Sequence, residues 1–302
     1  MIGDGDQANR LRNLMLSKQA GPKGDKESRS GLASPRVIVI SSGRSGVGKS
    51  NLVLNLAIQF VKQGRRVTVV DADFSHTNIG ALIGLGGQNN FLEVLEGDKE
   101  IGDALAIGPG GFNFLSAGQG FVKLADRQNR QISRLDEKVA PLDYISDIIL
   151  VDTGVGMANR VVDFIASSNE AILMITPEAA SITDAYAVIK RVKEQNEAMP
   201  ELYVVANRAE SKAGGDEIFA KLERACNKFL EIQLINIGYL PHDPNLTKAV
   251  KARQPVSIMY PDSPIVKSIE LIGEQLISGD RVVSDLGFKA FMQKIDKKFN
   301  NN

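Results

Sequence analysis

Cysteine is almost missing from this chain: Cys226 is the single one among 302 residues. That excludes an internal disulfide and a thiolate-held metal cluster, and it fits a reducing compartment. Cys226 itself reads as a small, partly buried apolar residue on a helix. An excess of charge is missing too. Lysine plus arginine and aspartate plus glutamate number 36 each, so no global basic field holds the protein on nucleic acid by counterion release. Any affinity for DNA or membrane has to be local. Long apolar runs are also absent: stretches such as Val37-Ile38-Val39-Ile40 are far too short to span a bilayer, and the N-terminal residues have no apolar core of the signal-peptide type. A soluble, cytoplasmic protein is expected. No internal repeat of fixed period is found, and the length suits one large α/β domain with short appendages.

What the chain does contain is a regular alternation. From Arg36 onward, short β-branched runs alternate with longer helical patterns, the pattern of repeated βαβ units in a doubly wound, mostly parallel sheet with helices on both faces. The expected strands are Val37–Ser41, Val67–Asp71, Ile148–Asp152, Ala171–Thr176, Leu202–Ala206 and Ile235–Leu240, with Phe112–Leu115 as a further one. Ahead of them, residues 20–35 are rich in Gly, Pro, Ser, Lys and Asp, a composition that reads as a flexible linker. The expected division is a helix in 1–19, the linker, one large α/β domain over 36–280 and a terminal amphipathic helix in 281–302.

In such sheets ligands bind beyond the carboxyl ends of the strands. After the first strand comes Gly43-Arg44-Ser45-Gly46-Val47-Gly48-Lys49-Ser50, a full match to the P-loop pattern, followed by the helical run from Asn51 to Lys62. Its glycines let backbone N–H groups turn onto a phosphate, with the helix N-terminus adding partial positive charge. Lys49 would reach the β- and γ-phosphates, and the Ser50 hydroxyl would meet Mg²⁺. The second strand ends in Asp71-Ala72-Asp73, two carboxylates on the same side. Ile148-Ile149-Leu150-Val151-Asp152 is an apolar strand ending in the Asp that would hold Mg²⁺ through water.

Together these elements resemble the MinD/ParA branch of P-loop ATPases. The resemblance implies ATP and Mg²⁺ as ligands, Asp73 as the residue that polarises the attacking water, Asp71 as its companion, and a match at Asn78 to the family's asparagine. The family's signature lysine falls at Arg44 and the next glycine at Ser45, and Ser75-His76 stands where Gly-Leu is usual. Arg44 keeps the charge with a forked donor set that could still reach a partner's phosphates. Asn207 ends the fifth expected strand and Pro241-His242-Asp243-Pro244 follows the sixth. The resemblance puts an adenine pocket there, formed by Asn207, Arg208, Pro241 and Asp243.

Thr153-Gly154-Val155-Gly156, Thr176-Pro177-Glu178 and Thr183 to Lys190 are similar to the FlhG-like (FleN, YlxH) flagellar members of that branch. So is Asp6-Gln7-Ala8-Asn9-Arg10-Leu11-Arg12, which matches a motif that these proteins carry ahead of the ATPase domain. There it stimulates an SRP-type GTPase, FlhF. At the other end Phe288, Phe291, Met292, Ile295 and Phe299 recur at helical spacing beside Lys289, Lys294, Lys297 and Lys298. Such a helix suits a membrane interface, or else packs its apolar stripe on the domain, and Ser284 or Asp285 is placed to cap it.

The resemblance therefore implies a slow Mg-dependent ATPase that forms an ATP-dependent homodimer, touches the inner face of the membrane, and regulates flagellar number and placement. Its expected partners are the FlhF-like GTPase and a flagellar transcription regulator or C-ring component, with no specific nucleic acid. A non-hydrolysing nucleotide-binding adaptor, motivated by Arg44 and Ser45, is a second reading. A ParA-type DNA-partition ATPase is a third.

Overall fold

The computed structural model describes residues 34–73, 78–85, 91–125, 135–154, 159–195, 199–278 and 287–301. The Asp6 to Arg12 motif, the linker up to residue 33, Ser75-His76, Val155-Gly156 and Ser284-Asp285 lie outside these described residues.

The chain runs β1 (Arg36–Ser41), α1 (Lys49–Lys62), β2 (Val67–Ala72), α2 (Asn78–Ile83), α3 (Phe91–Glu96), β3 (Ala106–Ile107) and β4 (Asn113–Ser116). Then follow α4 (Gly118–Ala125), α5 (Leu135–Val139), α6 (Pro141–Ile145), β5 (Ile148–Thr153), α7 (Asn159–Ser167), β6 (Glu170–Ile175) and α8 (Ala179–Gln195). The last third is β7 (Glu201–Ala209), α9 (Lys212–Leu230), β8 (Ile235–Pro241), α10 (Pro244–Lys251), α11 (Val256–Met259), α12 (Pro264–Ile277) and α13 (Phe288–Asn301). Every expected strand forms, with ends shifted slightly. β3 was not foreseen, being two residues long, and it is the antiparallel edge of an otherwise parallel sheet.

The sheet order is β3-β4-β2-β5-β1-β6-β7-β8. β1 is central, with β5 on one side and β6 on the other, so the chain winds out in both directions from its carboxyl end. This is the switch point where an open α/β sheet leaves a crevice for ligands. Side chains alternate across the sheet: Val37 and Val39 enter one apolar layer and Ile38 and Ile40 the other, as a period of two requires. With both faces covered the strands read as continuous apolar runs.

β1 is anchored at its start by the Arg36 guanidinium, which donates to both oxygens of Glu170 at 2.9 and 2.5 Å and to the Leu276 carbonyl at 2.7 Å. The fork thereby ties β1 to β6 and to the end of α12. Breaking such a pair strands a partly buried cation, so Glu170→Ala should lower the unfolding free energy by about 2–3 kcal/mol, somewhat below the range for a fully buried pair. Chemical denaturation checks this.

Cys226 is fully buried on α9, and burial pushes its thiol up to about 11. The stripe on α13 is buried as well. Phe288, Phe291, Met292, Ile295 and Phe299 all join the core layer, where Phe164 of α7 sits 6.0 Å from the Phe291 ring and 6.2 Å from that of Phe299. The surface expected to meet lipid thus packs on the domain in this structure. An amphipathic pattern demands an apolar surface but does not say which one. The Asp143 carboxylate on α6 accepts the amides of Phe288 at 2.6 Å and Lys289 at 3.2 Å. The Lys289 ammonium pairs with Asp136 of α5 at 3.2 Å.

Candidate functional site

The turn between β1 and α1 is built by its glycines. Gly46 and Gly48 have φ of 73° and 100°, the left-handed region that side chains avoid. Gly43 is needed for a different reason: a Cβ there would sit 2.5 Å from backbone and Cβ atoms of Asp184 on α8. The first glycine of the motif is therefore a packing position, where the loop crosses α8 with no room for a side chain. Gly43→Ala should push the loop off α8 and weaken nucleotide binding about tenfold or more while the fold persists, as titration and circular dichroism would register.

Lys49 opens α1 and is buried, only 7% exposed. Burial lowers its pKa, while Asp152 and then Asp73 pull it back up. Ser50 follows, and its hydroxyl donates to Oδ2 of Asp152 at 2.5 Å. Asp152 stands at the end of β5 in register with Ile40 of β1 and Asp71 of β2. The Thr153 hydroxyl donates to the Ile40 carbonyl at 3.0 Å, holding the two strand ends together. The three strands thus deliver Lys49, Ser50, Asp71, Asp73 and Asp152 to one buried spot.

The charge there is unbalanced. Asp71, Asp73 and Asp152 are all buried against one ammonium. Burial raises Asp152 to about 6, an effect that the Ser50 hydroxyl and Lys49 oppose. Asp71 is pushed up to about 7 by burial and by Asp152. Oδ1 of Asp152 is buried without a hydrogen-bond partner, which is costly for a carboxylate unless a cation faces it. The Ser50 hydroxyl and the bare Asp152 oxygen are hard oxygen donors of the kind Mg²⁺ takes, so these residues fit that ion.

Asp71 has another use in this arrangement. Its carboxylate accepts the amides of Asp73 at 3.4 Å and Ile79 at 3.1 Å. It thereby ties Asp73 to Ile79 in α2, the helix that Asn78 opens. Asp73 also lies against Gly154, where a Cβ would come within 3.3 Å of its Oδ1. Arg44 and Ser45 are exposed on the outer side of the turn, with the Arg44 carbonyl accepting from Ser42 at 2.7 Å.

The residues expected around adenine are split. The Asn207 amide donates to the Val47 carbonyl at 2.6 Å and the Arg208 guanidinium to that of Gly46 at 2.7 Å, so both touch the loop. Asp243 is spent on structure: its carboxylate caps α10 through Asn245 N at 2.8 Å and takes Ile265 N at 3.3 Å. Pro241 is half-buried at the end of β8 and His242 is exposed. A small, mainly apolar cleft lined by Gly48, Asn51, Asn207, Leu240, Leu246 and Ile265 lies beside the loop.

Residues 38–256 match the CobQ/CobB/MinD/ParA nucleotide binding domain. The chain belongs to this MinD/ParA nucleotide-binding family. It is 33% identical over 261 residues to antiactivator FleN of Pseudomonas aeruginosa, covering 86% of each chain. To flagellum site-determining protein YlxH of Helicobacter pylori it is 30% identical over 306 residues, covering 97% of this chain and 98% of that one. Among solved structures, septum site-determining protein MinD of Pyrococcus horikoshii, complexed with Mg-ADP, has the same fold at a TM-score of 0.64 and 22% identity, over 81% of this chain and 96% of that one. The FleN/YlxH-like character read from the motifs is thus matched across most of the MinD/ParA domain.

Proposed function

We propose that this MinD/ParA-family protein is an ATP-hydrolysing switch that regulates flagellation. Two chains meet face to face on Mg-ATP and bind the inner membrane surface, and hydrolysis resets them. The observation that carries this reading is the cluster of buried Lys49, Asp73 and Asp152 with the Ser50 hydroxyl at the turn between β1 and α1, in a chain similar to FleN and YlxH.

The roles follow from placement. The turn's amides and Lys49 take the β- and γ-phosphates, and Asp73, whose amide donates to Asp71, orients the attacking water. Ser50 and Asp152 would hold Mg²⁺, which supplies positive charge along the phosphates when bound. Arg44, which is exposed, would reach a partner's nucleotide, and the Asp6 to Arg12 motif would stimulate an FlhF-like GTPase. The α13 stripe meets lipid only after leaving the domain. Light scattering and liposome sedimentation on the full chain test the cycle: dimers and lipid recruitment with Mg-ATP but not Mg-ADP are expected, and monomers in both states would refute it.

The exposed Arg44 also motivates the adaptor reading, in which the loop binds nucleotide without turnover. Because lysine keeps the charge of Arg44 but not its forked donor set, the switch predicts that Arg44→Lys leaves ATPase turnover within about tenfold of wild type. A large gain in phosphate release would show instead that the native loop is catalytically damped.

A further inference from the structure

We infer that Asn207 and Arg208 shape the phosphate cradle from behind, by fixing two successive peptide planes of the loop. In a trans peptide the carbonyl and the N–H point in opposite directions. The Gly46 carbonyl accepts from the Arg208 guanidinium at 2.7 Å and the Val47 carbonyl accepts from the Asn207 amide at 2.6 Å. The N–H groups of those same two planes belong to Val47 and Gly48, so both are turned away from β7. A run of amides turned to one side is what an anion site needs.

Several features hold the two donors in place. Oδ1 of Asn207 accepts the Arg208 amide at 2.7 Å, which leaves Nδ2 for the loop. Gly48 lies so close that a Cβ there would be 2.5 Å from Asn207 Nδ2, so glycine is required at 48 by this contact as well as by its φ. Arg208 adopts φ of 60°, a left-handed conformation for a residue with a side chain, and such strain persists where surrounding contacts determine it. Glu178, whose carboxylate lies 3.9 Å from the guanidinium, steers it from the opposite side.

The consequence is that these residues govern affinity for the polyphosphate rather than the choice of base. This deepens the nucleotide-binding reading and rests on it. The test is equilibrium competition on the full chain with Mg-ATP, Mg-GTP and Mg-tripolyphosphate as probes, for wild type, Asn207→Ala, Arg208→Gly and Arg208→Lys. Arg208→Gly removes the guanidinium while relieving the backbone. Expected is a loss of about tenfold or more for all three probes in Asn207→Ala and Arg208→Gly, an unchanged ATP-to-GTP ratio, and recovery to within about threefold in Arg208→Lys. A merely structural role would not spare the base ratio while being rescued by lysine. Loss of base discrimination with tripolyphosphate affinity intact overturns the inference, as does full affinity in Arg208→Gly. A wild-type chain that binds none of the probes sinks the nucleotide reading itself and the inference with it. If Asn207→Ala fails to fold, the Arg208 pair still decides.

Discussion

Asp73→Ala is expected to bind Mg-ATP with near-native affinity and to turn it over about a hundredfold or more slowly, the span typical of removing a positioned proton acceptor. The separation of binding from turnover follows from the site. The loop amides, Lys49 and Ser50 provide the phosphate contacts, and Asp152 still holds the Lys49 charge and the Ser50 hydroxyl when the Asp73 side chain is gone. Asp73 contributes a buried carboxylate beside Gly154, and Asp71 accepts its amide and that of Ile79. Steady-state phosphate release combined with titration measures both halves. Unchanged turnover would take the water-orienting role away from Asp73.

Phe291→Ala should weaken docking of α13 by about 3–5 kcal/mol, the usual cost of emptying a buried phenylalanine site. Phe291 is buried between Phe164 and Phe288, and beyond the stripe the helix start is held by Asp143 and the Lys289–Asp136 pair. Because α13 adds no strand to the sheet, its release is local: amide exchange should rise along α13 while β1 and β6 stay protected. The freed stripe, with its lysines, should then carry the protein onto anionic liposomes without ATP. A global loss of stability with no gain in liposome binding would make α13 a fixed part of the core.

How much of this was legible beforehand depends on the range of the interactions. Strands announced themselves through local β-branched runs, and Gly43 to Ser50 with Asp152 marked the site because spacing along the chain carries that chemistry. Where two surfaces meet, the sequence was mute. Asp143 caps a helix 145 residues further on, with no signal beyond being an acid on a helix. Gly43 reads as a phosphate-loop glycine, yet its contact with Asp184 makes it a packing glycine. Asp243 caps a helix, a role that Asp243-Pro244 ahead of a helical run signals, since Asp caps and Pro starts helices. The Phe stripe was seen, but its partner, Phe164, is fixed only by the tertiary fold.

The most direct test of the central claim is calorimetric titration of the folded wild-type chain with ATP, with and without Mg²⁺. The account predicts saturable uptake of one nucleotide per chain, strengthened by the metal and lost in Lys49→Ala. Absence of heat and of uptake on protein whose circular dichroism shows the native fold would contradict it.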